Sequence, residues 1–367
     1  MNCGVTIIID SFNHERFVEA TINSALAQDH DPVQVIVVDD GSPDRSVEII
    51  KSFGQRIETL FQPNQGQVAA CRNALALAIH DIVIFLDSDD LLQPDAARIV
   101  AGAWLSGVSK VQYCLRVIDE NGVPDGNIFP KFARQMTPET VRAEMFRAGS
   151  YPDSPTSGNA YSRRFLETAL PLLPRRNGFD GELNGIAPLY GDVISLDQPL
   201  GCYRIHGEND FAQRRLDVSK FGNYLRHSEA RVAFIREHYR TKGHIIADNV
   251  LDRDLKYQEY ALVVEKLGTD ETRQNRLWGV AGRAMMAAWQ APHGLAHRLF
   301  REVWMAAVAL APQRLAATLV EQRFIPSRRF AWITRLATMH LTAKPRSTPV
   351  APTPKRLDTA RPSSSHV

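Results

Sequence analysis

The stretch that most restricts the fold of this chain is the apolar run Ile82–Leu86, which ends in Asp87-Ser88-Asp89-Asp90. Apolar residues without polar alternation are typical of a strand buried on both faces of a parallel sheet. Three carboxylates within four residues repel one another, and each is costly to desolvate alone. A divalent cation would remove this conflict, because it takes several oxygen ligands. The alternative is a polar loop that caps a helix, since Asp also favours turns and N-caps.

Strands and helices alternate over the first hundred residues. Apolar strands are predicted at 5–9, 33–38, 57–61 and 82–86, and helices at 15–27, 45–53, 68–79 and 94–105. This α/β pattern predicts a parallel sheet whose ligands bind outside the carboxyl ends of the strands. The loops at those ends are rich in Asp, Asn, Ser and Gly, and they cover 10–13, 39–42, 63–67 and 87–90.

Glycine-rich phosphate-binding motifs are missing from these loops. The sequence contains neither GxGxxG nor GxxxxGK[ST], which argues against a Rossmann dinucleotide site and against a P-loop. Binding through a cation and carboxylates is the remaining way to hold a nucleotide diphosphate at this edge.

The pattern becomes less regular between 109 and 210. A strand is predicted at 110–117 and a helix at 137–148, and a loop at 151–159 is expected to lie over the site. A further helix is expected to begin at Phe179-Asp180-Gly181-Glu182 and to end at Tyr190. Two short strands are predicted at 192–196 and 201–205.

The rest of the chain is helical in pattern. Candidate helices cover 217–241, 249–267, 270–290, 295–310, 313–323 and 326–342, and the Pro-, Ser- and Thr-rich tail 345–367 is expected to be disordered. We therefore predict an α/β domain at 1–212, a helical domain at 213–344 and the tail. An apolar content of 44% with 23% charged residues is that of an ordinary globular protein.

Charge is unevenly distributed along the chain. The net charge is only +2, but residues 272–345 contain eleven Lys or Arg and two Asp or Glu. We interpret this basic region as a helical scaffold that closes one side of the predicted site. The alternative is a membrane-surface patch, because Trp278, Trp289, Trp304 and Trp332 are interleaved with Arg. Nucleic-acid binding is not expected, since no recognised module is present.

The cellular location is predicted from three sequence features that are missing, namely a membrane-spanning stretch, a signal peptide and a paired-cysteine motif. There is no apolar stretch of the roughly 20 residues needed to span a bilayer, and no basic segment typical of a signal peptide. Four scattered cysteines, Cys3, Cys71, Cys114 and Cys202, form no CxxC pair. Cys3, Cys71 and Cys202 are expected to be buried free thiols, as in a reducing cytosol. We expect a cytoplasmic protein, with the inner face of the membrane as a more specific location.

Residues 1–210 resemble the inverting glycosyltransferases of family 2. The resemblance rests on five segments in order, namely 5–13 (VTIIIDSFN), 35–42 (VIVVDDGS), 64–73 (NQGQVAACRN), 84–90 (IFLDSDD) and 200–209 (LGCYRIHGEN). It implies the GT-A fold, a doubly wound and mostly parallel sheet, followed here by the helical region. It also implies a nucleotide-sugar donor, with UDP-sugars favoured, and a glycan or lipid-linked acceptor.

The resemblance assigns donor-binding roles to residues of these segments. Asp39 would hydrogen-bond the base, Asp40 would support its loop, and Asp87 would point to the ribose or sugar. The other donor-binding positions are Ser11, Phe12, Asn13, Arg72, Asn73 and Ser88, with Ser11 and Phe12 at the base and Arg72 at the phosphates. Asp89 and His206 would bind Mn²⁺ or Mg²⁺.

The sequence departs from the family at the expected catalytic base. The commoner Glu-Asp pair is replaced by Phe179-Asp180. Asp180 is the candidate base because it precedes a helix at the expected place, and Glu182 is the alternative. A carboxylate there would deprotonate an acceptor hydroxyl opposite the leaving group. If the departure removes the base, the second hypothesis is a nucleotide-sugar-binding protein without transfer activity.

Overall fold

The structure is a computed structural model that describes residues 3–132, 136–173, 179–207, 216–268, 274–291 and 294–325. It confirms the predicted alternation over the first part of the chain. The elements are β1 (Val5–Ser11), α1 (Val18–Leu26), β2 (Val33–Asp39), α2 (Ser46–Ser52), β3 (Glu58–Phe61), α3 (Gln67–Leu75) and β4 (Ile82–Asp87). The strands pair in parallel in the order β3-β2-β1-β4.

The second half of the sheet is mixed. It continues from β4 in the order β8-β6-β9-β5, with β7 beside β6. Its elements are β5 (Leu91–Leu92), α4 (Ala96–Gly102), β6 (Val108–Ile118), β7 (Pro124–Phe129), α5 (Pro138–Ala148), β8 (Asn159–Ser162), α6 (Arg163–Ala169), α7 (Asp180–Ile186) and β9 (Asp192–Arg204). β8 is antiparallel to both β4 and β6, whereas β6 and β9 are parallel.

Two predictions in this half need correction. The two short strands expected at 192–196 and 201–205 are one strand, β9, because its register on β6 shifts beside Cys114 and accommodates Pro199. The loop expected at 151–159 ends in β8, which the sequence did not predict. A four-residue strand of mixed polarity has no local signal, and its pairing with β4 and β6 defines it.

The parallel strands separate two apolar cores. Ile8, Val83 and Phe85 belong to one core, and Ile7 and Ile84 belong to the other. Alternate side chains of a strand point to opposite faces of the sheet. Burial on both faces therefore explains the unbroken apolar runs in the sequence.

The helical region follows β9. It contains α8 (Val218–Thr241), α9 (Leu255–Leu267), α10 (Gln274–Gln290), α11 (Leu295–Leu310) and α12 (Gln313–Phe324). The helix predicted at 249–267 begins six residues later than expected, because the Asp254 side chain caps α9 by accepting a hydrogen bond from Tyr257 N. The other helices begin and end within four residues of the predicted bounds. These helices enclose a third core, which includes Leu262 and Met305. α8 also contributes to the first core through Val232, Ile235 and Tyr239, so it joins the helical region to the sheet.

Several expectations fall on other parts of the chain. The predicted boundary at 212/213, the helix at 326–342, Trp332 and the tail 345–367 lie outside the described residues. Within the described ranges, the helices are too short or too polar to cross a lipid bilayer. Cys3 is exposed, contrary to expectation, whereas Cys71, Cys114 and Cys202 are buried free thiols.

Candidate active site

The polar ends of three parallel strands meet at one edge of the sheet, which we call the rim. Ser11 at the end of β1 pairs with Asp39 at the end of β2, and Asp10 pairs with Asp87 at the end of β4. Because carboxyl ends of parallel strands share one edge, the sheet brings together the predicted donor-binding segments.

Asp39 is held within its own loop. One carboxylate oxygen accepts hydrogen bonds from the backbone N–H groups of Gly41 and Ser42, at 3.1 and 2.9 Å, and the other accepts from Ser42 Oγ at 2.6 Å. Ser42 Oγ also accepts a bond from the backbone of Asn13, whose φ is +60°. The loops that follow β1 and β2 are therefore fastened to each other.

Ser11 and Phe12 differ in exposure. Ser11 is buried, and its hydroxyl has no hydrogen-bond partner among the described residues. The Phe12 side chain is 45% exposed, which is unusual for a large aromatic residue at the end of a buried strand. An exposed ring beside a fastened polar loop suits the stacking of a planar group.

Asp40 supports the neighbouring loop at 62–66, whereas the expectation was that it would support its own loop. One of its oxygens accepts from Gln62 Nε2 at 2.7 Å and from the backbone of Gln65 at 2.9 Å, and the other accepts from Gly66 N at 2.8 Å. Asn73 donates to Gln62 Oε1 at 2.8 Å, so its amide extends this network. That bond gives Asn73 a structural partner and does not test the predicted place near the phosphates.

Asp10 and Asp87 share one hydrogen-bond donor. The side-chain amide of Gln67 donates to Asp10 Oδ2 at 2.9 Å and to Asp87 Oδ1 at 3.1 Å. Burial raises the pKa of Asp10 to about 7. Burial, followed by the charge of Asp10, raises the pKa of Asp87 well above its usual range. The conflict expected among Asp87, Asp89 and Asp90 thus also includes Asp10, and the crowded Asp10 and Asp87 carboxyls are partly buried.

A set of metal-ligating side chains lies beside this crowd. His14, Asp89 and His206 each offer one ligand atom, and these atoms lie within 4.8 Å of one another. His206 Nε2 is 2.8 Å from Asp89 Oδ2, and the His14 and His206 rings meet edge-on with centroids 5.9 Å apart. Ser88 Oγ lies 2.8 Å from His14 Nδ1, so the Ser88 hydroxyl contacts this set.

These residues fit a divalent cation. Two imidazoles and a carboxylate are suitable ligands, and three protein ligands leave other positions open for phosphate oxygens or water. Asp10 Oδ1 and Asp90 Oδ2 are buried without a hydrogen-bond partner in the described ranges. A nearby positive charge would lower the free-energy cost of burying such carboxylates.

Arg72 lies on α3, the helix that follows the Asp40-supported loop. Its side chain is half-buried and forms no ion pair with the carboxylates of the described ranges. An unpaired guanidinium remains available for an anionic ligand. Its predicted contact with the donor phosphates stays a prediction.

Asp180 is the first residue of α7, and the residue before it fixes its place. Phe179 is buried and packs edge-on against Phe85 of β4, with ring centroids 5.2 Å apart. Phe85 and Asp87 lie on the same face of β4, because their positions are two apart in the strand. The Phe that departs from the family pattern is thus a core residue that anchors Asp180 near the rim.

The environment of Asp180 suits a base. Burial, followed by the charge of Asp153, raises the pKa of Asp180 to about 6, against a hydrogen bond from Gly181 N. Asp180 is also among the charges that raise the pKa of Asp87, which places the two carboxyls within electrostatic reach. Glu182 lies in the same first turn of α7.

Helix α8 packs closely on α7. A Cβ atom added to Gly181 would lie 2.9 Å from Arg231 Cδ, and one added to Gly185 would lie 2.2 Å from Ile235 Cδ1. The two glycines are four residues apart and therefore share one helix face. This close approach places the Arg231 guanidinium beside the N-terminus of α7.

Asp180 opens into a cleft of about 720 Å³ between the sheet and the helical region. The residues that line it come from both parts, among them Asp153, Tyr203, Tyr224, Arg231 and Lys256. Lys256 Nζ lies over the Tyr224 ring at 4.6 Å. Aromatic faces and hydrogen-bonding side chains of this kind can bind a polyhydroxylated ligand.

A buried polar network supports α7 from behind. Tyr151 OH donates to the backbone oxygen of Asn184 and Tyr161 OH donates to Asn184 Oδ1, both at 2.8 Å. Lys110 Nζ donates to Tyr151 OH at 3.2 Å and to Gln112 Oε1 at 2.9 Å. Burial lowers the pKa of Lys110 to about 7.

Sequence reasoning missed several residues of this region. His14 follows the predicted loop 10–13 by one position, and its place beyond the strand end was the available signal. Gln67 lies within a predicted rim loop, but nothing distinguished it there. Lys110, Asn184 and Arg231 had no local signal, because packing between distant elements brings them to the site.

Comparisons with known proteins show which family this chain resembles. Residues 6–169 match the family model described as "Glycosyl transferase family 2". An uncharacterized glycosyltransferase of Nostoc is 34% identical over 216 residues, which cover 56% of this chain and 66% of that protein. EpsH of Bacillus subtilis, named as a glycosyltransferase, is 30% identical over 264 residues, which cover 64% of this chain and 70% of EpsH.

Other relatives are longer. Chondroitin synthase of Pasteurella multocida is 30% identical over 39% of this chain, but the match spans only 16% of that synthase. Among solved structures, residues 1–349 of Staphylococcus aureus TarS in complex with UDP-GlcNAc align with a TM-score of 0.51. That alignment covers 89% of this chain and 93% of the TarS chain at 13% identity, so it shows the fold alone, which is the expected GT-A fold.

Proposed function

This chain belongs to glycosyl transferase family 2, and we propose that it moves a sugar from a nucleotide-sugar, favouring UDP-sugars, to an acceptor hydroxyl with inversion. The acceptor is a polysaccharide or glycoconjugate. The observation that carries this proposal is the meeting of Asp39, Asp87 and Asp89 at one rim with Asp180 in the adjoining cleft.

The rim is the proposed donor site. The fastened loops of Asp39 and Asn13, with Phe12 exposed beside them, support recognition of the base. Arg72 has no carboxylate partner in the described ranges, which supports a place at the donor phosphates. Asp87, Ser88 and Asn73 complete the proposed donor contacts.

Asp89 and His206 would hold the Mn²⁺ or Mg²⁺ ion of this site. When bound, such an ion neutralises charge on the leaving diphosphate. Gln67 donates hydrogen bonds to both Asp87 and Asp10, and it thereby holds the Asp87 carboxylate in place. The chain thus supplies ligands for the ion, and it also supplies a hydrogen bond that supports the Asp87 carboxylate.

In the proposed reaction Asp180 accepts the proton of the acceptor hydroxyl. The acceptor oxygen forms a bond to the anomeric carbon, and the bond between that carbon and the diphosphate oxygen breaks. Direct displacement needs no nucleophilic side chain and inverts the anomeric centre. A pKa of about 6 leaves Asp180 ionised at neutral pH and still basic enough to share a proton.

The cleft is the proposed acceptor site. Its lining residues come from the sheet and from the helical region, and they include Asp180. The proposed sheet domain at 1–212 and helical domain at 213–344 would bound this site. The close packing of α8 on α7 supports a helical domain that closes the acceptor side.

Release of UDP from a panel of UDP-sugars tests transfer. We expect release that needs an acceptor, that EDTA abolishes and that Mn²⁺ or Mg²⁺ restores. Donor binding by thermal shift without release, across the same panel and a set of glycan acceptors, would favour the non-catalytic binding protein. NMR of the new linkage checks inversion at the anomeric carbon.

We also propose peripheral contact of the helical region with an anionic membrane, at the cytoplasmic inner face. α11 buries Trp304 and Met305 but exposes Leu295, Leu299 and Val303 at 63%, 47% and 69% on its opposite face. Trp289 of α10 is half-exposed, with Arg298 over its ring at 5.7 Å. An apolar face beside arginines suits a bilayer of anionic lipid.

Flotation with phosphatidylglycerol vesicles tests this contact. We expect co-flotation at low salt that Val303→Glu abolishes. Leu105→Glu is the matched control, because Leu105 is 67% exposed on the sheet domain. Absence of flotation, with dimers seen by sedimentation, would instead assign the face to a second copy of the chain.

A further inference from the structure

His14 occupies a position that the donor-binding residues do not account for. It lies past the end of β1, is half-buried, and meets the His206 ring edge-on at 5.9 Å. Its ligand atom lies within 4.8 Å of those of Asp89 and His206. These three residues come from the ends of β1, β4 and β9, so three separate strands deliver them to one point.

One ring nitrogen of His14 has a hydrogen-bond partner. Nδ1 lies 2.8 Å from Ser88 Oγ, and the Ser88 backbone oxygen accepts a bond from Thr21 Oγ1 at 2.8 Å. Histidines that bind metals usually donate their other ring N–H to such a group, which fixes the tautomer and the ring orientation. With Nδ1–H donating to Ser88, the lone pair of Nε2 is available to a metal ion.

We propose that His14 is a third protein ligand of the donor-site cation, and that this ligand set selects Mn²⁺ and related first-row transition ions over Mg²⁺. The inference rests on the proposed function, because it concerns the same site. Mg²⁺ prefers oxygen ligands and retains its waters, whereas first-row transition ions accept imidazole nitrogen readily.

The alternative role of His14 is structural. Its ring also packs against Phe17 at 6.2 Å, and its bond to Ser88 could simply fasten the 87–90 loop. The two roles predict different results for His14→Asn. The Asn amide can replace Nδ1–H as the donor to Ser88, but it places no ligand atom at the position of Nε2.

Pulsed EPR of bound Mn²⁺ separates the roles, because nitrogen couplings report the imidazoles on the ion. The full chain is measured with Mn²⁺ alone and with Mn²⁺ plus UDP, without acceptor. We expect two imidazole nitrogens in the unmodified protein and one in both His14→Asn and His206→Asn. We also expect His14→Asn to weaken Mn²⁺ binding at least about 10-fold.

His30→Asn is the matched control, because its ring bonds the Cys3 backbone oxygen away from the site. It should keep two nitrogens and unchanged affinity. Mg²⁺ competition gives a second readout, in which the preference for Mn²⁺ narrows at least about 10-fold in His14→Asn. Circular dichroism melting of each variant checks that the fold is kept.

One nitrogen in the unmodified protein, two in a folded His14→Asn, or no binding of Mn²⁺ would each overturn the inference. The measurement uses no transfer reaction. Two nitrogens without UDP release would therefore leave His14 a ligand while the proposed function fails. One nitrogen in the unmodified protein together with normal UDP release would reject His14 as a ligand and leave the proposed function intact.

Discussion

The rim and the cleft adjoin, yet they are built from different kinds of sequence. Asp39, Asp87 and Asp89 each lie at or just beyond the end of an apolar strand, so strand pairing alone places them together. The cleft takes Asp153 from a loop and Arg231 from α8, which only helix packing brings together. The proposed donor site is thus encoded beside the strands, whereas the proposed acceptor site can change without altering the sheet.

Asp89→Ala should cause the largest loss, because it removes a central ligand of the rim. We expect transfer to fall about 10⁴-fold, which corresponds to about 5 kcal/mol in the barrier. Asp81→Asn is the control, since its side chain is 91% exposed at the opposite end of β4. Initial rates of UDP release are measured for both variants. Equal rates for the two variants would show that Asp89 has no role in transfer.

Asp180→Asn tests the cleft side of the comparison. Loss of a general base should lower kcat about 10³-fold while donor binding, a property of the rim, is unchanged. Glu182→Gln, in the same turn of α7, should keep kcat within about threefold. If Glu182→Gln causes the larger loss, the base is Glu182. Calorimetric donor titration checks that the rim is intact.

The pH dependence gives an independent measure of the base. The pKa of Asp180 is raised to about 6, so its carboxylate becomes protonated, and inactive as a base, below that value. We expect kcat to fall about tenfold per pH unit below pH 6 and to level off above it. Initial rates between pH 4.5 and 8 measure the profile. A flat profile in this range would argue against Asp180 as the base.

Asp40→Asn should affect the rim through its support rather than through ligand contacts. The Asp40 carboxylate accepts three hydrogen bonds. The amide of Asn would place its N–H donors against the N–H donors of this loop, so at least one hydrogen bond is lost. We expect the free energy of unfolding to fall by about 1–3 kcal/mol. Urea unfolding measures this, with Asp29→Asn, which loses an exposed ion pair with Arg98, as the control. Equal losses would mean that Asp40 is no more than a surface carboxylate.

Lys110→Met should give the smallest change, and one that depends on pH. Burial lowers the pKa of Lys110 from 10.5 to about 7, so between these values the unfolded chain binds a proton that the folded chain has released. The free energy of unfolding therefore rises with pH in this interval. The difference in the free energy of unfolding between the unmodified protein and Lys110→Met should change by about 1 kcal/mol per pH unit. A constant difference across pH 7–9 in urea unfolding would contradict the shift.

The first half of the sheet was predictable because each strand is an unbroken apolar run with polar residues at its end. The placement of the rim residues followed from the same runs, whereas the roles that the family segments assign to Asp39, Asp89 and His206 stay predictions. The second half was less predictable. β8 is four residues of mixed polarity, and β9 continues through Pro199 because a register shift on β6 accommodates it.

The sequence by itself determined the α/β fold, the rim and the family, since local periodicity and short motifs carry that information. Only the tertiary structure decided that His14 meets Asp89 and His206, and that Phe179 anchors Asp180 against Phe85. It also decided that Gly181 and Gly185 admit α8 against α7. These contacts join residues far apart in the chain, and their energies depend on packing that no local pattern specifies.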